Sequence, residues 1–137
     1  MFVRLGSRMP DVALVVDDSM VIRHTVSRFL EERGFAVESA SNGMEALEIL
    51  KRVTPVLVIT DMQMPAMGGS ELISAIKSKP ETASIPILIL TGASSGFDRK
   101  ENRAEFTIFK DIDVQEQLEK ALDAVADKAA KAQRAGK

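Results

Sequence analysis

The chain has 137 residues, of which 45% are hydrophobic and 28% charged, and its formal net charge is −2. This length suits one domain with a sizeable core, and the charge balance offers no basic surface for nucleic acid. The sequence contains no Cys, which excludes disulfides and thiol catalysis, and no apolar run reaches the roughly 18 residues of a membrane helix. We therefore expect a cytoplasmic protein that binds neither nucleic acid nor membranes.

Short apolar runs alternate with amphipathic segments along the chain. The runs predict strands over 12–16, 35–39, 56–60, 85–90 and 106–109. Ser19, Asn42 and Asp113 are predicted to cap the helices after the first, second and fifth strands, the last two with a Glu three residues on, as in a capping box. A further helix is predicted over 70–78, after the third strand.

Strand–helix alternation of this kind predicts a doubly wound α/β fold with a parallel sheet and helices on both faces. The runs 12–16, 56–59 and 87–90 are the most continuously apolar and should be central, whereas 35–39 is more polar and should be an edge. The flavodoxin-like (βα)5 arrangement, with strand order 2-1-3-4-5, fits this pattern. The connection from Thr91 to Phe106 has few apolar residues, so its helix, the fourth, is predicted to be short or atypical.

The chain ends lie outside this pattern. Residues 1–10 are predicted to be an N-terminal extension and 11–126 to form the domain. The Ala-rich and basic residues 127–137 are predicted to be a fraying helical tail.

Polar residues follow four of the predicted strands. Asp17 and Asp18 follow the first strand, Asp61 the third, Thr91 the fourth and Lys110 the fifth. Because the carboxyl ends of parallel strands share one edge of a sheet, these side chains should converge there. Crowded carboxylates repel unless cations offset them, and an all-oxygen cluster suits Mg²⁺. A cation, a hydroxyl and a lysine around one carboxylate could stabilise phosphoryl transfer to Asp61.

Four segments, VVDDS (15–19), ITDMQMPAMGG (59–69), ILTGA (89–93) and FK (109–110), each at a strand end, resemble the receiver domains of two-component response regulators. The resemblance covers residues 11–126. It implies that Asp61 is the phospho-acceptor and Thr91 the switch hydroxyl, and that Lys110 pairs with the acceptor and then with the phosphate. It also implies a Mg²⁺ site made by Asp61, Asp18, the backbone carbonyl of Gln63 and, through water, Asp17.

The resemblance further implies a stand-alone receiver that is phosphorylated by a sensor histidine kinase or a phosphotransfer protein. Its output would be binding to a downstream protein, and its only catalysis its own phosphorylation and slow dephosphorylation. The atypical 92–107 segment motivates an alternative, a binding module of the same fold that phosphorylation does not switch. Two residues also depart from the family pattern. Asp111 stands where the family has a cis-proline, so the bond should be trans and Lys110 differently aimed, and Thr107 occupies the switch-aromatic position. A Mg²⁺-dependent phosphohydrolase is a weaker alternative.

Overall fold

The strands form one parallel sheet in the computed structural model, which describes residues 11–92 and 103–135 and, over 129–135, the backbone alone. They are β1 (Val12–Val16), β2 (Ala36–Ala40), β3 (Leu57–Asp61), β4 (Ile87–Thr91) and β5 (Phe106–Phe109). All neighbours pair in parallel in the order β2-β1-β3-β4-β5, which confirms the predicted topology and places β2 at an edge. β4 begins after Pro86, which has no N–H to donate; its carbonyl accepts from the Val58 N–H at 3.0 Å.

The described residues contain four helices, and the caps of three of them follow from local sequence. The helices are α1 (Met20–Glu31), α2 (Gly43–Leu50), α3 (Gly69–Lys77) and α4 (Val114–Ala135). The predicted caps are confirmed, because the oxygens of Ser19, Asn42 and Asp113 each accept a backbone N–H of the first turn, at 3.3, 3.0 and 3.2 Å. None of these helices has the length and apolar character needed to cross a membrane.

The core lies on both faces of the sheet. Along β4, Leu88 and Leu90 belong to the layer that α1 and α4 cover, while Ile87 and Ile89 belong to the layer under α2 and α3. All four of these side chains are fully buried. Burial on both faces explains why the central strands are continuously apolar rather than alternating.

The connection between β4 and β5 returns to the sheet across α3. Arg103 donates from Nη1 to Ser74 Oγ at 2.6 Å and from Nη2 to Ser70 Oγ at 3.3 Å. Ala104 packs against the core layer under α2 and α3. The predicted short fourth helix falls mostly on residues 93–102, which lie outside the described part. At the other end of the chain α4 runs to Ala135, and the fraying predicted for 127–137 stays a prediction.

Candidate metal site at the carboxyl edge of the sheet

Three carboxylates meet where β1 and β3 end. Val16 pairs with Thr60 across the two strands, so the next residues, Asp17 and Asp61, lie side by side. Asp17, Asp18 and Asp61 each place one carboxylate oxygen within 4.8 Å of an oxygen of the other two. Asp17 and Asp61 are buried, whereas Asp18 is exposed. The predicted convergence of the three acids is confirmed.

Lys110 reaches this cluster from the end of β5. Its Nζ lies 2.8 Å from Asp17 Oδ2 and 3.2 Å from Asp61 Oδ2. The described residues contain no cis peptide bond, so the bond before Asp111 is trans, as predicted. The expectation that a trans bond would aim Lys110 differently is wrong, because the long side chain spans β4 and still contacts both acids. Its backbone N–H is held by the carbonyl of Thr91 at 2.8 Å.

The cluster carries more negative than positive charge. Burial and then the charge of Asp17 raise the pKa of Asp61, and the charge of Lys110 and the Gln63 N–H only partly oppose this. Burial lowers the pKa of Lys110, but its hydrogen bonds and ion pairs with Asp17 and Asp61 outweigh burial and raise that pKa above its usual value. Three ionised carboxylates and one ammonium group leave two negative charges, which a divalent cation would neutralise.

The residues fit a Mg²⁺ ion. The donors are oxygens, and the exposed side chain of Asp18 leaves the cluster open to solvent on one side. Asp17 Oδ1 accepts the Ser19 N–H at 2.8 Å and Oδ2 contacts Lys110. Direct ligation by Asp18 and Asp61, with Asp17 acting through water, stays a prediction.

Two further site residues lie beside Asp61. The N–H of Gln63 donates to Asp61 Oδ1 at 3.3 Å, so its main chain adjoins the cluster; a metal-binding role for its carbonyl stays a prediction. Thr91 follows Leu90, the β4 partner of Asp61, and is 1% exposed. The structure thus brings Thr91 to the same edge, and its switch function stays a prediction.

The loop after Asp61 is fixed by glycines on both sides. A Cβ at Gly69 would clash with the carbonyl oxygen of Asp61, and a Cβ at Gly43 would lie 2.6 Å from Met67 Cγ. The Gly43 N–H donates to the Met67 carbonyl at 3.2 Å. Between these contacts Ala66 adopts φ 69°. No pattern in the sequence indicated that Gly43, in α2, touches this loop.

Sequence reasoning also missed Arg23. Its Nη1 donates to the main-chain carbonyl of Asp17 at 2.7 Å. An arginine one turn into an amphipathic helix is ordinarily a solvated side chain, and no spacing pattern indicated that it folds back onto the end of β1.

The model of the response regulator receiver domain family matches residues 13–123. The chain is 38% identical over 87 residues to the gliding motility regulatory protein of Myxococcus xanthus, a match covering 64% of this chain and 11% of that protein. It is 36% identical over 91 residues to response regulator MprA of Mycobacterium sp. (strain KMS), covering 66% of this chain and 39% of MprA. The chain therefore spans well under half the length of these two relatives.

Solved structures show the same similarity over a larger share of the chain. The chemotaxis response regulator CheY4 of Vibrio cholerae aligns with a TM-score of 0.74 and 33% sequence identity, over 85% of this chain and 99% of that one. A putative response regulator from Chloroflexus aurantiacus J-10-fl aligns with a TM-score of 0.74 and 26% identity, over 85% of this chain and 98% of that one.

Proposed function

The chain belongs to the response regulator receiver domain family, and from this membership we propose that it is a phosphorylation-switched signalling receiver. Asp61 accepts a phosphoryl group from the phosphohistidine of a sensor histidine kinase or a phosphotransfer protein. The observation that carries the proposal is the position of Asp61, which lies among two other carboxylates with Lys110 3.2 Å from its Oδ2.

The residues of the site have separate tasks in this transfer. An oxygen of Asp61 attacks the phosphorus in line, a new O–P bond forms, and the P–N bond to the donor imidazole breaks. Lys110, already an ion-pair partner of Asp61, offsets charge on the phosphoryl oxygens. Asp18 and Asp61 would hold Mg²⁺, and the ion would neutralise further charge on the phosphoryl oxygens. Thr91 supplies a hydroxyl that can bond the phosphorylated side chain.

The output is binding to a downstream protein rather than catalysis on a separate substrate. The site holds a nucleophile and charge-neutralising groups, and these suffice for the domain's own phosphorylation and for slow dephosphorylation. Phosphorylation adds negative charge at a buried edge of the sheet, which is the kind of local electrostatic change that biases one surface conformation over another.

A phosphodonor experiment tests the proposal. The protein is incubated with acetyl phosphate and Mg²⁺, and aspartyl phosphate is measured by intact-protein mass spectrometry. We expect labelling of the wild type, none of Asp61→Asn, and undiminished labelling of the control Asp113→Asn, because Asn also caps α4. Full labelling of Asp61→Asn would move the acceptor elsewhere. An unlabelled wild type would favour the unswitched binding module, and turnover of phosphate monoesters would favour the phosphohydrolase.

A further inference from the structure

Asp17, at the end of β1, is held through both its main chain and its side chain. Each of its polar atoms has a partner among the described residues. These partners are the Ala40 carbonyl for its N–H (3.1 Å), Arg23 Nη1 for its carbonyl (2.7 Å), the Ser19 N–H for Oδ1 (2.8 Å) and Lys110 Nζ for Oδ2 (2.8 Å). Three of the four contacts come from strands or turns of the sheet edge. The contact of Arg23 is the exception, since it comes from a helical side chain.

The position of Arg23 in α1 explains this contact. Its backbone N–H donates to the Ser19 carbonyl at 3.0 Å, which places it in the first turn of the helix. Helical side chains lean toward the N-terminus, so the guanidinium extends back past the start of α1. It there meets the carbonyl of Asp17, which lies before the helix and outside its ladder of hydrogen bonds.

We propose that Arg23 is a positioning residue for the Mg²⁺ site, acting through the peptide between Asp17 and Asp18. The inference rests on the metal site proposed above. Because a peptide unit is planar, a fixed Asp17 carbonyl also fixes the direction in which the chain enters Asp18. Asp18 is exposed, and no described residue hydrogen-bonds its carboxylate, so the direction of this ligand depends on its main chain.

If only the charge of Arg23 mattered, removing it would change Mg²⁺ affinity in the opposite direction from that expected of a positioning residue. Arg23 is permanently positive and its field reaches this edge of the sheet. The pKa of Glu45 is lowered chiefly by the N–H and hydroxyl of Ser41, and also by the charge of Arg23. A fixed cation beside the acids repels Mg²⁺, so losing the charge would strengthen binding. Losing the positioning contact would weaken binding, as loss of an outer-shell partner of a metal site does. Whether Mg²⁺ binding becomes tighter or weaker when Arg23 is replaced therefore separates an effect of its charge from a positioning role.

The experiment measures Mg²⁺ affinity by calorimetry for the full chain, with stability measured separately by urea unfolding in EDTA. We expect Arg23→Ala to weaken Mg²⁺ binding about tenfold and Arg23→Lys, which keeps the charge and one donor, to fall between. The control Arg28→Ala removes the same charge from the same helix at an exposed pair with Glu32, where both side chains are over 60% exposed, and should change affinity by less than about twofold.

The outcomes distinguish this inference from the proposed metal site. Unchanged or tighter Mg²⁺ binding by folded Arg23→Ala overturns the positioning role and leaves the metal site standing. Absence of Mg²⁺ binding by the wild type overturns the metal site itself. If Arg23→Ala does not fold, Arg23→Lys decides, and an affinity equal to that of the wild type then refutes the inference.

Discussion

Replacing Lys110 with Met tests whether this lysine holds the acidic cluster together. Methionine keeps an unbranched apolar side chain of similar length but removes the ammonium group that contacts Asp17 Oδ2 at 2.8 Å and Asp61 Oδ2 at 3.2 Å. The two carboxylates would then face each other with no compensating charge. We therefore expect Lys110→Met to lower the free energy of unfolding at neutral pH.

The size of this loss follows from burial. Removing one partner of a buried ion pair costs about 3–5 kcal/mol, because the other charge is left uncompensated. Here the Asp17 side chain is 0% exposed and that of Asp61 7%, but the lysine itself is 22% exposed, so water screens part of the interaction. We expect a loss of about 2–3 kcal/mol, just below the buried-pair range, because of this screening. A domain of this size has about 5–15 kcal/mol of stability and should remain folded.

Urea unfolding in EDTA, followed by far-UV circular dichroism because the chain has no Trp or Tyr, measures the loss. The control is Lys120→Met, which breaks an exposed i,i+4 pair with Glu116 and should cost less than about 0.5 kcal/mol. Adding Mg²⁺, or Asp17→Asn in the Lys110→Met background, should recover part of the stability, since either reduces the uncompensated charge. A loss no larger than that of the control would refute the reasoning.

Two further predictions concern Asp61 and the loop after it. Because a raised pKa means that the folded state favours the protonated acid, the stability linked to this proton is present below the ordinary value of 3.8 and is lost as pH rises through the folded pKa. Asp61→Asn, which mimics the protonated acid, should therefore raise the urea midpoint in EDTA at pH 7 and have less effect near pH 4; an equal shift at both pH values would contradict this. Gly69→Ala should lower the free energy of unfolding by about 1–3 kcal/mol, because the added Cβ meets backbone, and it should weaken Mg²⁺ binding. In the control Gly68→Ala the nearest contact of the added Cβ is 3.2 Å. This variant should lose less stability and less Mg²⁺ affinity in the same assays.

Much of the fold was predictable because its signals are local. The N-caps at Ser19 and Asn42 depend on a side chain and the N–H three residues on, and both are confirmed. The capping box at Asn42 differs in one detail, since the Glu45 carboxylate bonds the N–H and hydroxyl of Ser41 rather than the N–H of the cap residue. The placement of β2 at the edge followed from its polarity. The ends of β2, β3 and β4 lie one or two residues from the predicted positions, because pairing with the neighbouring strands, and Pro86 before β4, set where each strand begins and ends.

The site was predictable in its members but less so in its contacts. Asp17 and Asp61 each end an apolar run, and parallel topology alone brings them together. The direction of Lys110 was not predictable, and the expectation drawn from Asp111 was wrong, because a flexible side chain can reach the same acids from a trans backbone. The contact between Gly43 and Met67 was invisible for a similar reason, since it depends on how one helix meets a loop from another part of the chain.

The sequence by itself determined which side chains stand at the carboxyl edge of the sheet. Apolar runs mark the strands, and the polar residues that directly follow these runs lie at the carboxyl ends of the strands. The sequence also determined the chemistry of that edge, three acids and a lysine. Only the tertiary structure decided that Asp17 is fully buried, with the Ser19 N–H on one carboxylate oxygen and Lys110 Nζ beside the other. It also decided that Arg23 holds the peptide between the first two acids. Such contacts join residues whose neighbourhood exists only after the chain has folded, and no local pattern encodes them.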